Sequence, residues 1–212
     1  MSILTTFQKE FIKIFSETRL KDSFYLTGGT ALSEFYLQHR LSDDLDFFTE
    51  DEGQIALVLP IINNILSELG VKLEVRRNFR SYIEVFIDRG DELLRCDFAM
   101  DSPYRLEEKL YKEDLGIYID NAIDISCNKL SALFDRSEPK DFVDIYFIDK
   151  EIISFEKLVK EAKKKHIGLD NYWLAVSLSK AENISILPRM LKPLNVNKFR
   201  QFFEEKAKSL MT

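Results

Sequence analysis

Two aspartates separated by a single residue, Asp44 and Asp46, have the spacing of a metal-binding pair. In an extended segment, side chains two positions apart point to the same face, so the two carboxylates lie together and Leu45 points away. Carboxylates this close repel each other unless a cation lies between them. Their oxygens suit Mg²⁺, which keeps several waters and takes substrate phosphates as further ligands. The pair therefore predicts a binding site for Mg²⁺ (or Mn²⁺), at which the metal ion also binds the phosphates of a substrate.

A glycine turn precedes this pair along the chain. Gly28 and Gly29 follow a short apolar run, and a helical pattern begins after Thr30. A strand, two residues without Cβ and a helix N-terminus aim backbone N–H groups at an anion, and glycine allows a phosphate to approach closely. Taken singly, such glycines are most often a plain turn, and Asp-x-Asp in a loop is most often solvated or a cap. Together they indicate a phosphate site beside a metal site, with Thr30 or Ser33 as a hydroxyl donor.

The surrounding sequence predicts the elements that position these residues. Apolar side chains at helical spacing predict helices over residues 4–20, 54–69, 123–136, 155–165, 171–180 and 196–210, with a further helix that begins at Pro139. Alternating apolar side chains predict strands over residues 71–79, 81–88 and 93–100, in addition to strands within the motif itself. Residues 101–120 show neither pattern and are predicted to be irregular.

Composition limits the class of protein. Of the 212 residues, 45% are hydrophobic and 12% are aromatic, which suits a packed core and argues against disorder. No apolar run reaches the roughly 18 residues that span a bilayer. The N-terminus lacks the pattern of a signal peptide, so we expect a cytoplasmic protein without a membrane partner. Cys96 and Cys127 are expected to be reduced core residues. With His39 and His166 as its two histidines, the sequence argues against a zinc site or a histidine triad.

Charge is distributed unevenly along the chain. Residues 1–149 contain 17 basic and 29 acidic side chains, a balance of −12, whereas residues 150–212 contain 13 and 7, a balance of +6. One interpretation is a solvated helical surface with incidental lysines. The other is a basic C-terminal lobe that binds a nucleic-acid backbone, with its densest cluster at Lys163, Lys164 and Lys165.

Two blocks of this sequence resemble a known family. The order G-G-T-A-L and then R-x-S-x-D-L-D-F is similar to the nucleotidyltransferases of the AbiEii/AbiGii toxin family, within the polymerase-beta-like nucleotidyltransferase superfamily. The matching residues are Gly28, Gly29, Thr30, Ala31, Leu32, Arg40, Ser42, Asp44, Leu45, Asp46 and Phe47. The family's second block is matched by Lys129, Leu130, Ala132, Leu133, Arg136, Lys140, Asp141, Asp144, Ile145 and Tyr146. The superfamily commonly has Gly-Ser at the glycine motif, where this chain has Gly-Gly-Thr.

The resemblance implies a fold and an activity. The fold is α+β, with a nucleotidyltransferase core of mixed sheet and flanking helices in residues 1–120 and a helical C-terminal lobe in residues 121–212. The activity is metal-dependent transfer of a nucleoside monophosphate from an NTP to an acceptor, as in toxin–antitoxin or phage-defence systems. Some relatives modify tRNA ends, so tRNA or another RNA is a candidate acceptor, and a cognate antitoxin is a candidate partner. The alternatives are a small-molecule nucleotidyltransferase of the aminoglycoside-modifying kind and a regulatory module that binds nucleotide without chemistry.

The same resemblance implies a third acidic residue, on a strand adjacent to the Asp-x-Asp pair. We match it to Asp97, which stands amid apolar neighbours on a predicted strand, with Asp101 and Asp88 as nearby alternatives. Asp97 would complete the metal site and help to deprotonate the attacking hydroxyl. Lys129 would place a point charge on the phosphates.

The remaining matched residues are assigned to the nucleotide and to catalysis. Arg40 and Ser42 are predicted to bind nucleotide, as is Asp144 of the second block. Asp141 is a candidate catalytic residue. The two acids of the second block either orient Lys129 or contact the base and sugar.

Overall fold

The computed structural model describes residues 2–101 and 104–211. These residues form two compact units. Unit 1 contains residues 2–34, 42–101 and 108–121, and unit 2 contains residues 35–41, 104–107 and 122–211. The division into a core of residues 1–120 and a C-terminal lobe of residues 121–212 stays a prediction. Unit 2 also contains two short segments that precede residue 120 in the chain.

Among the described residues, unit 1 contains a mixed sheet of seven strands, in the order β3-β4-β5-β2-β1-β7-β6. The strands are β1 (Tyr25–Thr27), β2 (Leu45–Thr49), β3 (Lys72–Phe79), β4 (Tyr82–Asp88), β5 (Leu93–Met100), β6 (Leu110–Lys112) and β7 (Ile117–Ile119). β1 pairs with β7, and β2 with β5, in parallel, whereas the other neighbours are antiparallel. The predicted strands β3, β4 and β5 are confirmed, as is the α+β class.

Two of these strands lie where the sequence predicted irregular structure. β6 and β7 form a hairpin within residues 101–120, so that prediction is wrong for this part of the segment. Each strand has three residues, which is too short for an alternating pattern to stand out. Gly116, with a φ of +67°, supplies the left-handed residue of the turn between them.

The helices of unit 1 cover an aromatic core. They are α1 (Thr6–Ser16), α2 (Gly28–Leu32) and α3 (Glu52–Glu68). α1 begins with a capping box, in which Thr5 and Gln8 bind each other's backbone N–H groups. Its buried Phe15 stacks on Phe47 of β2 at a centroid distance of 4.3 Å, and Phe47 stacks on Phe98 of β5 at 5.4 Å. This aromatic stack connects α1 to the two strands that carry the predicted acidic residues.

Unit 2 is helical and has its own core. Its helices are α4 (Ala122–Arg136), α5 (Pro139–Glu151), α6 (Phe155–Lys165), α7 (Asn171–Ser179) and α8 (Val196–Leu210), as predicted within one or two residues. α5 begins with Pro139 at its first turn, where a missing N–H costs nothing. Phe142 of α5 packs edge-on against Phe203 of α8 at 5.1 Å. Among the helices of the described residues, none is long and apolar enough to span a bilayer.

Candidate active site

The acidic residues of unit 1 meet across three neighbouring strands. Asp46 on β2 is the register partner of Asp97 on β5, and Asp97 is in turn opposite Glu84 on β4. On the other side of β2, Asp46 is opposite Thr27, the last residue of β1. Asp44 lies immediately before β2 rather than within it. One row across the sheet therefore carries three acidic residues in succession, beside the end of β1.

The two alternatives to Asp97 have other partners. Asp101 accepts a hydrogen bond from the Tyr25 hydroxyl at 2.7 Å. Asp88 accepts one from the backbone N–H of Gly90 at 2.7 Å, in the turn between β4 and β5. Of the three acids considered for this position, Asp97 is the one in register with the Asp-x-Asp strand.

The glycine turn contacts the second aspartate directly. Gly28 has a φ of +70°, a left-handed conformation that favours glycine. A Cβ at this position would lie 1.9 Å from Asp46 Oδ2, so the carboxylate fills the space of a side chain. The two halves of the motif are therefore interdependent, because residue 28 must lack a side chain for Asp46 to keep its position.

Two of the hydroxyl groups around the turn donate hydrogen bonds within unit 1. Thr27 Oγ1 donates to Oδ2 of the buried Asp120 at 2.8 Å, and its side chain does not cap α2. Thr30 donates to the backbone carbonyl of Asp44. Ser33 is fully buried. The hydroxyl of Thr30 thus connects the glycine turn to the residue that precedes β2.

The loop that leads into β2 is held by α1. Gln8 Nε2 donates to the backbone carbonyls of Ser42 at 3.2 Å and Asp43 at 3.0 Å. Gln8 is 1% exposed, so both bonds are shielded from water. No part in the site was predicted for this helix, because a glutamine on a helix carries no sign of a contact so distant in sequence.

A cation that the sequence analysis missed lies among the acids of unit 1. Arg95 on β5 donates from Nη2 to Asp97 Oδ2 at 2.7 Å and from Nε to Asp97 Oδ1 at 3.2 Å. Its Nε also lies 3.0 Å from Glu84 Oε1, and its Nη1 lies 3.9 Å from Asp44 Oδ2. The available sequence signal was the spacing of Arg95 and Asp97, which puts both side chains on one face of a strand.

This cluster is partly shielded from solvent. Burial raises the pKa of the Asp97 carboxyl, and the hydrogen bonds and charge of Arg95 offset that shift only in part. Burial and the negative charge of Asp97 raise the pKa of Tyr82, on the neighbouring β4, to about 12. Charged groups therefore interact more strongly here than they would in water.

In unit 2, three side chains meet on the carboxylate of Asp144. This fully buried group accepts hydrogen bonds from Arg40 Nε at 2.7 Å and Nη2 at 2.8 Å. His39 Nε2 lies 2.8 Å from Oδ1, and Lys129 Nζ lies 2.9 Å from Oδ2. Burial alone would raise the pKa of Asp144, but Lys129, Arg40 and His39 hold it well below its usual value. Burial lowers the pKa of His39 and outweighs the opposing effect of the Asp144 carboxylate.

The other acid of the second motif block is also buried and paired. Asp141 accepts two hydrogen bonds from Arg136, Nε to Oδ2 and Nη2 to Oδ1, each at 2.8 Å. A bidentate pair of this kind fixes the orientation of both groups. A catalytic role for Asp141 stays a prediction, as does nucleotide binding by Arg40 and Ser42.

The side chains of unit 1 include oxygen ligands of the kind that a divalent cation binds. Across residues 2–101 and 104–211, no group of three or more Asp, Glu, His or Cys side chains is arranged to hold a metal ion. Asp44 and Asp46 nevertheless supply carboxylate oxygens, the donors that Mg²⁺ prefers. The Asp44 side chain is 37% exposed and so accessible to a hydrated ion. Asp97 fits less well, because a guanidinium already binds both of its oxygens.

The mixed sheet and the glycine turn against Asp46 agree with the predicted nucleotidyltransferase core. The family described as nucleotidyl transferase AbiEii toxin, of type IV toxin–antitoxin systems, matches residues 11–210. The chain belongs to this family, as its sequence motifs predicted, and it is an enzyme.

The chain is also similar to individual proteins and solved structures. An uncharacterized protein from Aquifex aeolicus (strain VF5) is 34% identical over 164 residues, which cover 77% of this chain and 76% of that protein. JHP933 from Helicobacter pylori has a TM-score of 0.57 at 19% identity, covering 94% of this chain and 86% of that one. The nucleotidyltransferase toxin MenT4 from Mycobacterium tuberculosis H37Rv has a TM-score of 0.53 at 12% identity, covering 96% and 81%. At these identities the two solved structures show a shared fold.

Proposed function

We propose that this enzyme transfers a nucleoside monophosphate from an NTP to an RNA acceptor, such as the end of a tRNA, with Mg²⁺ or Mn²⁺ held by Asp44 and Asp46. The observation that carries the proposal is the direct contact between Gly28 and Asp46. It brings a phosphate-binding type of turn against a carboxylate suited to a metal ion. When bound, a divalent ion would supply charge neutralisation and orientation at the α-phosphate.

In this proposal the glycine turn binds the distal phosphates through its backbone. The N–H groups of Gly28, Gly29 and Thr30 are the donors, because the Thr30 hydroxyl already donates to a backbone carbonyl. The Thr27 side chain does not compete for them, since its hydroxyl donates to Asp120. Backbone N–H groups at the start of a helix are well suited to an anion.

Lys129 is proposed to bind a phosphate of the NTP. Its ammonium lies 2.9 Å from Asp144 Oδ2, in a buried group that also contains the Arg40 guanidinium, and both cations would attract a phosphate. Of the two roles considered for Asp144, this contact favours orientation of Lys129 over binding of base or sugar. Lysine acts as a compact point charge on phosphates, which suits a triphosphate.

The RNA backbone is proposed to bind the basic surface of unit 2. The predicted lysine cluster is smaller than its sequence suggests, because Lys165 is buried and its Nζ lies 3.0 Å from Asp124 Oδ1. Lys164 pairs with Glu161 at 2.6 Å, an exposed contact that costs little to exchange for a phosphate. Lys163 is the third member and is exposed. A cognate antitoxin is a further proposed partner, and the cytoplasm is the proposed compartment.

The acceptor class can be decided in one experiment. The full chain is incubated with Mg²⁺, each of the four α-labelled NTPs, and either total RNA or a set of aminoglycosides. Label in RNA supports the proposal, and its position identifies the acceptor. Label in the aminoglycosides would support the small-molecule alternative. NTP binding without transfer to either would indicate a regulatory module.

A further inference from the structure

We propose that Arg95, rather than a metal ion, is the cation that Asp97 binds, and that this enzyme holds a single divalent ion at Asp44 and Asp46. The inference rests on the proposed function, because it concerns the same metal pair. It departs from the role that sequence resemblance gave to Asp97, which was that of a third metal ligand.

The geometry around Asp97 is that of a completed ion pair. Both of its oxygens accept hydrogen bonds from Arg95, at 2.7 and 3.2 Å, in the two-pronged arrangement that matches a guanidinium to a carboxylate. The Asp97 side chain is 12% exposed, so a hydrated ion has little access to it. A metal ion at Asp97 would have to break both bonds and leave the guanidinium without its closest partner.

The strands on the far side hold Arg95 in this position. Glu84 Oε1 lies 3.0 Å from Arg95 Nε, and Glu84 Oε2 lies 3.2 Å from Nε of Arg77 on β3. Glu84 is 10% exposed at its side chain, so this contact is largely desolvated. The charges therefore alternate along the series of ion pairs from Arg77 through Glu84 and Arg95 to Asp97. Each member contacts a side chain of opposite charge, which stabilises the whole arrangement.

Arg95 also reaches towards the proposed metal pair. Its Nη1 lies 3.9 Å from Asp44 Oδ2, which is longer than a hydrogen bond but within range of a direct electrostatic attraction. A guanidinium here lowers the negative charge that Asp44, Asp46 and Asp97 would otherwise concentrate. One divalent ion then balances the remaining pair. Arg95 thus supplies part of the positive charge that a second metal ion would bring.

The test is Mn²⁺ binding to the full chain, measured by the loss of the free-ion EPR signal, in the absence of NTP. The variants are Asp46→Asn, Asp97→Asn and Arg95→Gln, with Asp88→Asn as a matched control in the β4–β5 turn. We expect one Mn²⁺ per chain in the unmodified protein, weakened by about tenfold or more in Asp46→Asn. Asp97→Asn and the control should each change the Mn²⁺ dissociation constant by less than about threefold.

The Arg95→Gln variant tests the proposal independently of the two aspartate variants. It leaves Asp97 and Glu84 without their shared cation, so Mn²⁺ should bind there instead. We expect binding to rise to two Mn²⁺ per chain and the melting temperature to increase more on Mn²⁺ addition than it does in the unmodified protein.

The possible failures are distinguishable. Loss of one Mn²⁺ equivalent, or weakening about tenfold or more, in Asp97→Asn would overturn the role of Arg95 while leaving the metal pair intact. Binding of one Mn²⁺ with an unchanged melting response in Arg95→Gln would also overturn it. Unchanged Mn²⁺ binding in Asp46→Asn would instead overturn the proposed metal pair itself.

Discussion

The carboxylate of Asp46 occupies the space that a side chain on Gly28 would need, with Oδ2 1.9 Å from the position of a Cβ. Gly28 is the first residue of α2, and Asp46 is on the strand that pairs with β1. A residue without a side chain is thus required at the very point where a phosphate-binding turn meets a metal-binding strand. The contact couples the glycine turn to the strand that carries Asp46. A substitution in either one therefore tests the other.

Gly28→Ala should disable the site and destabilise unit 1. The added methyl group must displace Asp46, and the left-handed backbone costs a further 1–3 kcal/mol, roughly, for a residue other than glycine. We expect lower transfer activity and a lower free energy of unfolding, measured by urea titration. Gly168→Ala is the matched control, because a Cβ there meets nothing within 4 Å. Full activity in Gly28→Ala would show that Asp46 does not need its present position.

Asp44→Asn and Asp46→Asn should each reduce nucleotidyl transfer by about 100-fold or more, because each removes a charged ligand from the proposed metal ion. Neither should reduce stability by more than about 1 kcal/mol, since removing one of several close carboxylates relieves repulsion. Steady-state transfer and urea unfolding measure the two effects separately. Asp88→Asn makes the same chemical change at a turn and should keep full activity.

Lys129→Met should weaken NTP binding. Lys129→Arg should not restore it, because the planar guanidinium of arginine differs from the lysine ammonium in size and reach. Removing one partner of a buried pair also costs stability, about 3–5 kcal/mol at full burial. Lys165→Met is the matched control, since Lys165 forms a buried pair with Asp124 in the same unit. It should lose comparable stability and still bind NTP by calorimetry. Equal loss of NTP binding in both variants would reduce the role of Lys129 to a structural one.

The stability of the protein should fall as pH drops below about 6.5, the usual pKa of histidine. Burial lowers the pKa of His39, so the unfolded chain binds a proton in this range that the folded chain does not. The stability supplied by a neutral His39 is therefore present above pH 6.5 and declines below it, by at most about 1.4 kcal/mol per pH unit. Urea unfolding at pH 7.5 and 5.5 measures the difference. In His39→Gln the difference should be smaller, and an equal difference would assign the pH dependence to other groups.

RNA binding should weaken steeply with salt if unit 2 contacts several phosphates, with a slope of roughly 0.7 per phosphate for single strands and about 0.9 for duplex. The double variant Lys163→Glu/Lys164→Glu should bind RNA more weakly and show a shallower slope. Lys9→Glu/Lys13→Glu, on α1 of unit 1, makes the same change in net charge and serves as control. A flat salt response in the unmodified protein would favour a small-molecule acceptor.

Much of this fold could be predicted because its signals are local. The apolar spacing of α6, α7 and α8 is complete within each helix, and the alternation of β4 is complete within the strand. Asp97 was selected because the family resemblance implies a third acidic residue on an adjacent strand, and because a carboxylate amid apolar neighbours on a predicted core strand needs a partner. Its register opposite Asp46 then followed from the pairing of β2 with β5.

The contacts that complete the site could not be predicted, because they join residues far apart in sequence. Gln8 reaches the loop before β2, more than thirty residues away, as the separation from Ser42 shows. Glu84 and Arg95 come together only when β4 pairs with β5. Which strands pair depends on the whole sheet, so the residues around each side chain give no sign of these contacts. β6 and β7 were not predicted for a different reason: each strand is too short to show an alternating pattern of apolar side chains.

Nucleotidyl transfer by this enzyme is tested by following the α-phosphate of the NTP. The full chain is incubated with Mg²⁺, total RNA and either α-labelled or γ-labelled NTP, in parallel with Asp46→Asn. We expect that RNA gains label from the α-labelled NTP only, that pyrophosphate is released in equal amount, and that Asp46→Asn does neither. Transfer of the γ-label to RNA, or full transfer by Asp46→Asn, would contradict nucleotidyl transfer at this site.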